Sequence, residues 1–314
     1  MEILFIIITI FGLSLFEIIT SVDNAIINAE VLSTMSERAK RWFLFWGILF
    51  AVFVIRGLLP FVIIWATMPD LSFIEIVRVT MSSGEEVRKT IEQTARALLL
   101  GGGVFLLFIF FHWLFLETKN FGLRAEKFFH SQGAWFFTVV AVILAVIVWF
   151  ALKEGSILAF GAVVGSTAFF IIHGFRQYAE QQEKRLLRGN VSDLSKILYL
   201  EVLDATFSVD GVIGAFAFTF SVPLILIGNG LGAIVLRKIT VSNIERIKTY
   251  KYLKNGAMYS IFFLGIIMIL DGFGHHIPAW VSPIIMFLTV GYFFHKSGAN
   301  FGVILPSLKS KRNR

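Results

Sequence analysis

Apolar segments long enough to cross a lipid bilayer constrain this chain more than any other feature of its sequence. A bilayer core about 30 Å thick needs about 20 apolar residues in each crossing helix. Of the 314 residues, 57% are apolar and 16% are charged, which is too much apolar surface for a soluble protein of this length to bury. We therefore predict an all-α polytopic membrane protein with about nine transmembrane helices. The predicted spans are residues 3–33, 42–67, 95–117, 133–152, 156–176, 195–220, 222–240, 254–271 and 279–296.

The composition excludes several functional classes. With no cysteine, the chain has no disulfide scaffold, thiol nucleophile or iron–sulfur cluster. It also has no HExxH or GxSxG motif, so an intramembrane hydrolase is disfavoured and we predict that the protein is not an enzyme. The net charge is +7, but no basic stripe with interleaved aromatic residues is present, so no nucleic-acid partner is expected. The first span lacks a basic leader and a cleavage site, and we expect it to be a retained helix.

The basic residues predict the orientation in the membrane. With the N-terminus outside, the inner segments hold 22 of the 28 lysine and arginine residues, and the outer segments hold four. Because cytoplasmic loops are enriched in lysine and arginine, this bias predicts an N-out, C-in topology with an odd number of helices. The longest loop, about 68–94, is then outside.

Two pairs of similar motifs suggest an internal repeat. The pattern carboxylate-x3-Ser-Val-Asp begins at Glu17 and again at Asp204, 187 residues later. The pattern Gly-x8-Arg begins at Gly47 and again at Gly228, 181 residues later. The copies start in the first and sixth predicted helices, so they cross the membrane in opposite directions. Inverted repeats of this kind are typical of secondary transporters.

The repeat sets the predicted organisation of one membrane domain, residues 1–314. Residues 1–152 form the first repeat with a flanking helix, residues 153–194 form a linking helix and a cytoplasmic loop, and residues 195–300 form the second repeat.

Four acidic residues lie inside apolar spans: Glu17, Asp23, Asp204 and Asp210. An unpaired acid at the centre of a bilayer costs about 2.5–3.5 kcal/mol. These acids must therefore be protonated, paired with Arg56 and Arg237, or coordinated to a cation. Buried ion pairs without further function and a proton relay without metal are the alternatives to a cation site.

The spacing of the acids predicts broken helices. Glu17 and Asp23 are six residues apart, which places them about 120° out of phase on a helix. Both can face one ion only if the helix unwinds locally, and the hydroxyls of Thr20 and Ser21 compete for the backbone carbonyls there. The second copy has the same spacing, with Glu201 one turn before Asp204, so we predict a break in both copies.

The ligand types favour a hard divalent cation. Carboxylate, amide and hydroxyl oxygens suit Mn²⁺, Mg²⁺ or Ca²⁺ better than Zn²⁺ or Cu⁺. Asn229 is interpreted as a ligand or as a hydrogen-bonding residue between helices, and a helix cap is favoured over a metal site for Asp271 and His276. The predicted ligands are Glu17, Asp23, Asn24, Asp204, Asp210 and Asn229, with Arg56 and Arg237 balancing charge and Asn28, Glu201, Asp271 and His276 as secondary candidates.

An ordered set of motifs resembles the tellurium-resistance C (TerC) integral membrane family over about residues 10–295. They are Asp23-Asn24, the series Gly47, Ala51 and Arg56, Asn229-x7-Arg237, Tyr252-Leu253-Lys254-x-Gly256 and Asp271-x4-His276-Ile277-Pro278-x3-Ser282. The resemblance implies an inner-membrane protein of the lysine-exporter superfamily, acting in manganese export or tellurite resistance. By position it makes Asp23, Asn24, Asp210 and Asn229 metal ligands, and Arg56 and Arg237 match the family's arginines. The chain departs from the pattern at Gly211, where the first copy has Asn24, and at Ile267, where the family commonly has lysine.

These observations lead to two functional hypotheses. The first is a multi-pass divalent metal-ion transporter of the prokaryotic plasma membrane, with Mn²⁺ as cargo and no permanently bound cofactor. The alternative is a non-transporting membrane scaffold in envelope or tellurite stress resistance, with loop 68–94 recruiting partners. The expected partners of the protein are the lipid bilayer and a divalent metal ion. Whether it also forms a homo-oligomer or binds envelope partners stays open.

Overall fold

The structure, a computed structural model, describes most of the chain and is built from helices. The described residues are 2–47, 49–67, 72, 74–77, 85–118, 122–188, 192–248, 251–278 and 280–297, and none of them lies in a β-strand. Within them, helix occupies most of every predicted span. Much of loop 68–94 and the basic C-terminal tail lie outside the described residues.

The helices are numbered here in chain order. They are α1 (Glu2–Thr20), α2 (Val22–Ser33), α3 (Glu37–Trp42), α4 (Arg56–Thr67), α5 (Glu85–Leu116), α6 (Arg124–Ser131), α7 (Phe136–Glu154), α8 (Ser156–Arg188), α9 (Asp193–Ala215), α10 (Val222–Lys248), α11 (Leu253–Gly272) and α12 (Val281–Lys296). Two π-helical segments, Phe43–Gly47 and Phe50–Ile55, connect α3 to α4, and a 3₁₀ turn, Gly133–Trp135, precedes α7.

Among the described residues, five helical segments are long and apolar enough to cross a membrane: Ile3–Thr20, Ala95–Leu116, Gly133–Glu154, Ser156–Tyr178 and Leu253–Gly272. Two shorter apolar stretches, Val222–Leu236 and Val281–Lys296, lie in α10 and α12. Large apolar side chains are exposed on several of these helices, for example Phe137 and Trp149 on α7. Because such surfaces need a lipid solvent, the chain has the character of a multi-pass membrane protein.

Helix α5 forms the centre of the bundle. All of its residues from Leu98 to Phe110 are buried. Its glycines allow close backbone contact with two neighbours, because Gly101 lies against Gly161 and Gly165 of α8, and Gly103 lies against Gly265 of α11. The glycine run therefore serves packing, and α5 continues through it as one helix.

The helix of the first predicted span is interrupted between Glu17 and Asp23, the stretch in which the spacing of these two acids predicts a break. Helix α1 ends at Thr20 and α2 begins at Val22, with Ser21 at a ψ of 5° between them. The Thr20 hydroxyl donates to the Phe16 carbonyl at 2.8 Å, and the Ser21 hydroxyl donates to the Glu17 carboxylate at 2.8 Å. Side-chain bonds of this kind compete with the helix ladder and explain the local distortion.

The predicted break in the second copy is wrong. Helix α9 runs without interruption from Asp193 to Ala215 and includes Asp204, Ser208 and Asp210. The Ser208 hydroxyl donates to the Asp204 carbonyl one turn earlier at 2.6 Å, an arrangement that a continuous helix accommodates. The two acids of this copy therefore project from different faces of one helix.

The first and second copies run in opposite directions. The contacting pairs are Phe16 with Gly214, Glu17 with Gly211, and Asn28 with Asp204. Residue numbers increase along α1 and α2 while those of their contacts on α9 decrease, so α9 is antiparallel to α1 and α2. Helix α10 runs parallel to α1, because Gly228 lies against Leu13 and Gly232 lies further along, against Glu17.

Candidate functional site

Glu17 is the most completely buried acid of the predicted site, with no solvent exposure. One oxygen, Oε1, accepts from Nη2 of Arg56 at 2.6 Å and from the hydroxyl of Ser21 at 2.8 Å. The other oxygen, Oε2, lies against Gly211 of α9, where a Cβ atom would be 2.8 Å away. Among the described residues, Oε2 has no hydrogen-bond partner. The carboxylate is thus held by a cation on one side and left available on the other.

Asp204 lies where α9 meets α2. Its Oδ1 accepts from Nδ2 of Asn28 at 3.2 Å, and both side chains are buried. The carbonyl oxygen of Asn28, Oδ1, has no donor within the described part of the chain. One turn earlier, Glu201 lies against Gly47, so close that a side chain at position 47 would displace it.

Asp210 pairs with Arg176, a residue that the sequence analysis did not select. Nη2 of Arg176 donates to Oδ2 of Asp210, and the Asp210 side chain is 10% exposed. Its second oxygen, Oδ1, is buried and finds no partner among the described residues. A cavity of about 20 Å³, room for about one water molecule, lies beside this pair and is also lined by His112 and His173.

The two histidines of this cavity lie together. The ring centroids of His112 on α5 and His173 on α8 are 4.0 Å apart, and the ring of Phe169 stacks on His173. Polar groups from α5, α8 and α9 therefore meet in an otherwise apolar environment. The only sequence signal was an arginine three residues after a histidine at the end of an apolar span.

Asn229 on α10 completes the group of buried oxygens. Its Nδ2 lies 3.5 Å from the carbonyl of Gly211, a long contact, and its Oδ1 has no donor among the described residues. Asn229 and Glu17 therefore both approach Gly211, each with one unsatisfied oxygen. Unsatisfied buried acceptors are rare in folded proteins and call for an explanation such as a bound ion.

Equivalent positions of the two copies make similar contacts. Glu201 of α9 lies against Gly47 of the first copy. The position that corresponds to Glu201 is Ser14, whose hydroxyl donates to the carbonyl of Gly228 at 2.9 Å. Since Gly47 and Gly228 also correspond, each copy's first helix packs against the glycine of the other copy.

The remaining predicted site residues divide into two groups. The side chains of Asp23, Asn24 and Arg237 lie outside the described part of the structure. Asp271 acts as a cap, because its Oδ1 accepts from the backbone of Ile277 at 2.5 Å, and His276 is exposed. Within the described residues, no group of three or more histidine, aspartate or glutamate side chains is arranged to hold a metal ion.

Another buried acid, Glu126 on α6, was not selected in the sequence analysis. It is fully buried and accepts from Nδ2 of Asn255 at 2.8 Å and from the backbone of Leu123 at 2.9 Å. Glu117 and Lys254 form an ion pair beside it. These contacts attach the segment around α6 to the start of α11.

Comparison with protein families assigns the chain to one of them. The model of the family described as "Protein of unknown function (DUF475)" matches residues 22–300, which is most of the chain. The chain belongs to this family. No curated protein and no solved structure matches it.

Proposed function

For this member of the DUF475 family we propose transport of a divalent metal ion across the membrane. The observation that carries the proposal is the group of buried oxygens, each without a donor, around α9: Glu17 Oε2, Asn28 Oδ1, Asp210 Oδ1 and Asn229 Oδ1. All four are hard acceptors, and two of them belong to residues that approach Gly211, Glu17 and Asn229, where we propose that a divalent cation binds. Asp23 and Asn24 are proposed as further ligands.

The arginine pairs suggest how the empty site is stabilised. Arg56 holds Glu17 and Arg176 holds Asp210, so each acid keeps a counter-ion within the protein. Buried acids without compensation are strongly destabilising. In the proposed cycle the cation takes over the free oxygens, and the guanidinium groups balance the charge when the cation leaves. Arg176 thus joins Arg56 and Arg237 as a proposed charge-balancing residue.

The arrangement of the copies supports alternating access. The antiparallel course of α1–α2 and α9, together with the equivalent glycine contacts, is what an inverted repeat produces. We propose that nine helices cross the membrane, N-out and C-in, and that the copies rock about the oxygens between them. Coupling to protons or to the membrane potential is expected.

The cargo and setting follow from the resemblance to the TerC family. On that basis we propose Mn²⁺ as the cation, export as the direction and the prokaryotic plasma membrane as the location. The ligand types are equally compatible with Mg²⁺ and Ca²⁺, so the choice of Mn²⁺ rests on the resemblance alone.

Purified protein in vesicles that contain a metal-sensitive dye tests the proposal. We expect influx of Mn²⁺ in preference to Zn²⁺, lost in Glu17→Gln and Asp210→Asn. The matched control is Glu154→Gln, which removes an exposed acid paired with Arg96 away from these oxygens and keeps influx unchanged. If wild-type vesicles admit none of Mn²⁺, Mg²⁺, Ca²⁺ and Zn²⁺ above empty vesicles, transport is the wrong function.

The same ion pairs favour one alternative, a membrane scaffold. In a scaffold, Glu17–Arg56 and Asp210–Arg176 would only join helices. This alternative predicts vesicles that move no metal and variants that change stability alone.

A further inference from the structure

An open groove of about 440 Å³ lies between the start of α3 and the start of α9. Arg38 and Trp42 contribute from α3, and Asp193, Leu194 and Ile197 contribute from α9. The lining of the groove therefore combines one positive and one negative side chain with apolar side chains.

The walls of this groove are fixed by polar contacts. The hydroxyl of Ser36 donates to Oδ2 of Asp193 at 2.5 Å, which joins the two helix starts. Nζ of Lys196 donates to the carbonyl of Thr34 at 3.0 Å. A small separate core lies beneath these bonds, formed by Val31, Leu32, Met35, Phe43, Ile197 and Leu200. The groove is thus part of the folded structure.

Arg38 is the basic residue of α3 that lines the groove. Lys40 bonds the carboxylate of Glu37 at 2.7 Å, and Nε of Arg41 donates to the Glu37 carbonyl at 3.3 Å. The hydrogen bond from Lys40 and its charge lower the pKa of Glu37, which keeps that acid committed to Lys40. Arg38 makes no hydrogen bond or ion pair with any described residue.

The groove opens where two apolar helix faces begin. Along the first copy, Trp42 is 50% exposed and is followed by exposed Phe45 and Trp46. Along α9, Leu194 is 65% exposed and is followed on the same face by exposed Leu198. Tryptophan is enriched at the level of lipid headgroups. Exposed tryptophan beside the charged groove residues, with apolar surface continuing along both helices, is the arrangement expected of a site at headgroup depth.

We propose that this groove binds a phospholipid with an ethanolamine headgroup. The phosphate pairs with Arg38, the primary ammonium donates to the carboxylate of Asp193, and an acyl chain follows Trp42 and Leu194. A choline headgroup lacks N–H donors for Asp193, and an anionic headgroup brings its net charge next to that carboxylate. The zwitterionic headgroup with N–H donors is the one that matches both side chains.

Native mass spectrometry of the detergent-purified full chain tests this site. Phosphatidylethanolamine, phosphatidylcholine and phosphatidylglycerol with identical acyl chains are added at equal concentration. We expect the wild type to retain phosphatidylethanolamine about threefold more than phosphatidylcholine, the factor typical of one exposed charge contact. Arg38→Gln lowers retention of phosphatidylethanolamine to the level of phosphatidylcholine, and Asp193→Asn removes the preference over phosphatidylglycerol.

A control variant separates recognition from a general loss of charge. Arg41→Gln removes a positive charge from the same helix and keeps the preference, because Arg41 bonds the Glu37 carbonyl and does not line the groove. Equal retention of the ethanolamine and choline lipids by the wild type would overturn the assignment. So would an equal loss in Arg38→Gln and Arg41→Gln. The result is independent of metal transport.

Discussion

Replacing Gly211 with alanine tests the geometry around Glu17 directly. The added Cβ atom would lie 2.8 Å from Oε2 of Glu17, whereas ordinary contact begins at about 3.4 Å. The carboxylate is anchored through Oε1 by bonds of 2.6 and 2.8 Å to Arg56 and Ser21. Helix α9 is also fixed one turn later, where Gly214 lies against Phe16. Neither the Glu17 carboxylate nor the backbone of α9 can therefore move away easily from an added Cβ atom.

The expected cost follows from these constraints. Overpacking of a well-filled interior costs about 1–3 kcal/mol. Alanine also gains about 1 kcal/mol over glycine in a helix. The matched control Gly174→Ala on α8 has the same gain, since an added Cβ there meets nothing within 4 Å. We therefore expect the free energy of unfolding of Gly211→Ala to be about 1–3 kcal/mol below that of Gly174→Ala.

The measurement is unfolding in mixed micelles, followed by circular dichroism as the fraction of denaturing detergent rises. A double-mutant cycle assigns the effect to the contact, because Gly211→Ala should cost less when Glu17 is already alanine. Equal stability of the two glycine variants, or full additivity with Glu17→Ala, would refute the described packing of Glu17 on Gly211.

Two further predictions concern buried contacts of the bundle. Arg56→Met leaves Glu17 buried without its counter-ion and should lower the free energy of unfolding by about 3–5 kcal/mol. Adding Glu17→Gln removes the unpaired charge and should restore most of that stability. No recovery in the double variant would contradict this account. Gly161→Ala places a Cβ against the backbone of Ala97 on α5, and backbone cannot rotate away, so it should destabilise the protein more than Gly211→Ala does. Micelle unfolding measures both, and a Gly161→Ala protein as stable as Gly174→Ala would show that α5 and α8 do not pack closely.

Hydropathy predicted the helices well because burial and membrane crossing both select apolar residues. It was less informative about where helices end. Helix α8 continues to Arg188 although the predicted span ends at 176, because helix persists beyond the apolar part. Helix α9 is long enough to cross a membrane. It is not one of the five apolar segments named above, because Glu201, Asp204 and Asp210 lie along it.

The local irregularities were only partly predictable. The break at Ser21 follows from two adjacent hydroxyls next to an acid, a pattern visible in the sequence. In α9 the corresponding stretch has two hydroxyls that are not adjacent, Thr206 and Ser208. Each donates to a backbone carbonyl one turn earlier in the helix, and the same acid spacing produces no break. The π-helical segments before Arg56 have no signal in periodicity.

The partners of the acids depend on long-range packing. The pairing of Glu17 with Arg56 joins residues that the sequence analysis had already grouped. The pairing of Asp210 with Arg176 depends on how α8 lies against α9, and local sequence carries no information about that contact. Within the described part of the chain, the sequence therefore identified both acids of these two pairs and the counter-ion Arg56, and it missed Arg176.

The burial of α5 has a consequence for biosynthesis. Its glycine contacts on α8 and α11 come from parts of the chain that are made later, and at about 5–20 residues per second the wait for α11 lasts seconds to tens of seconds. Helix α8 is made before α11, so the α8 side of α5 can be covered first. Products truncated before α11 would leave the side of α5 that carries Gly103 without its neighbour.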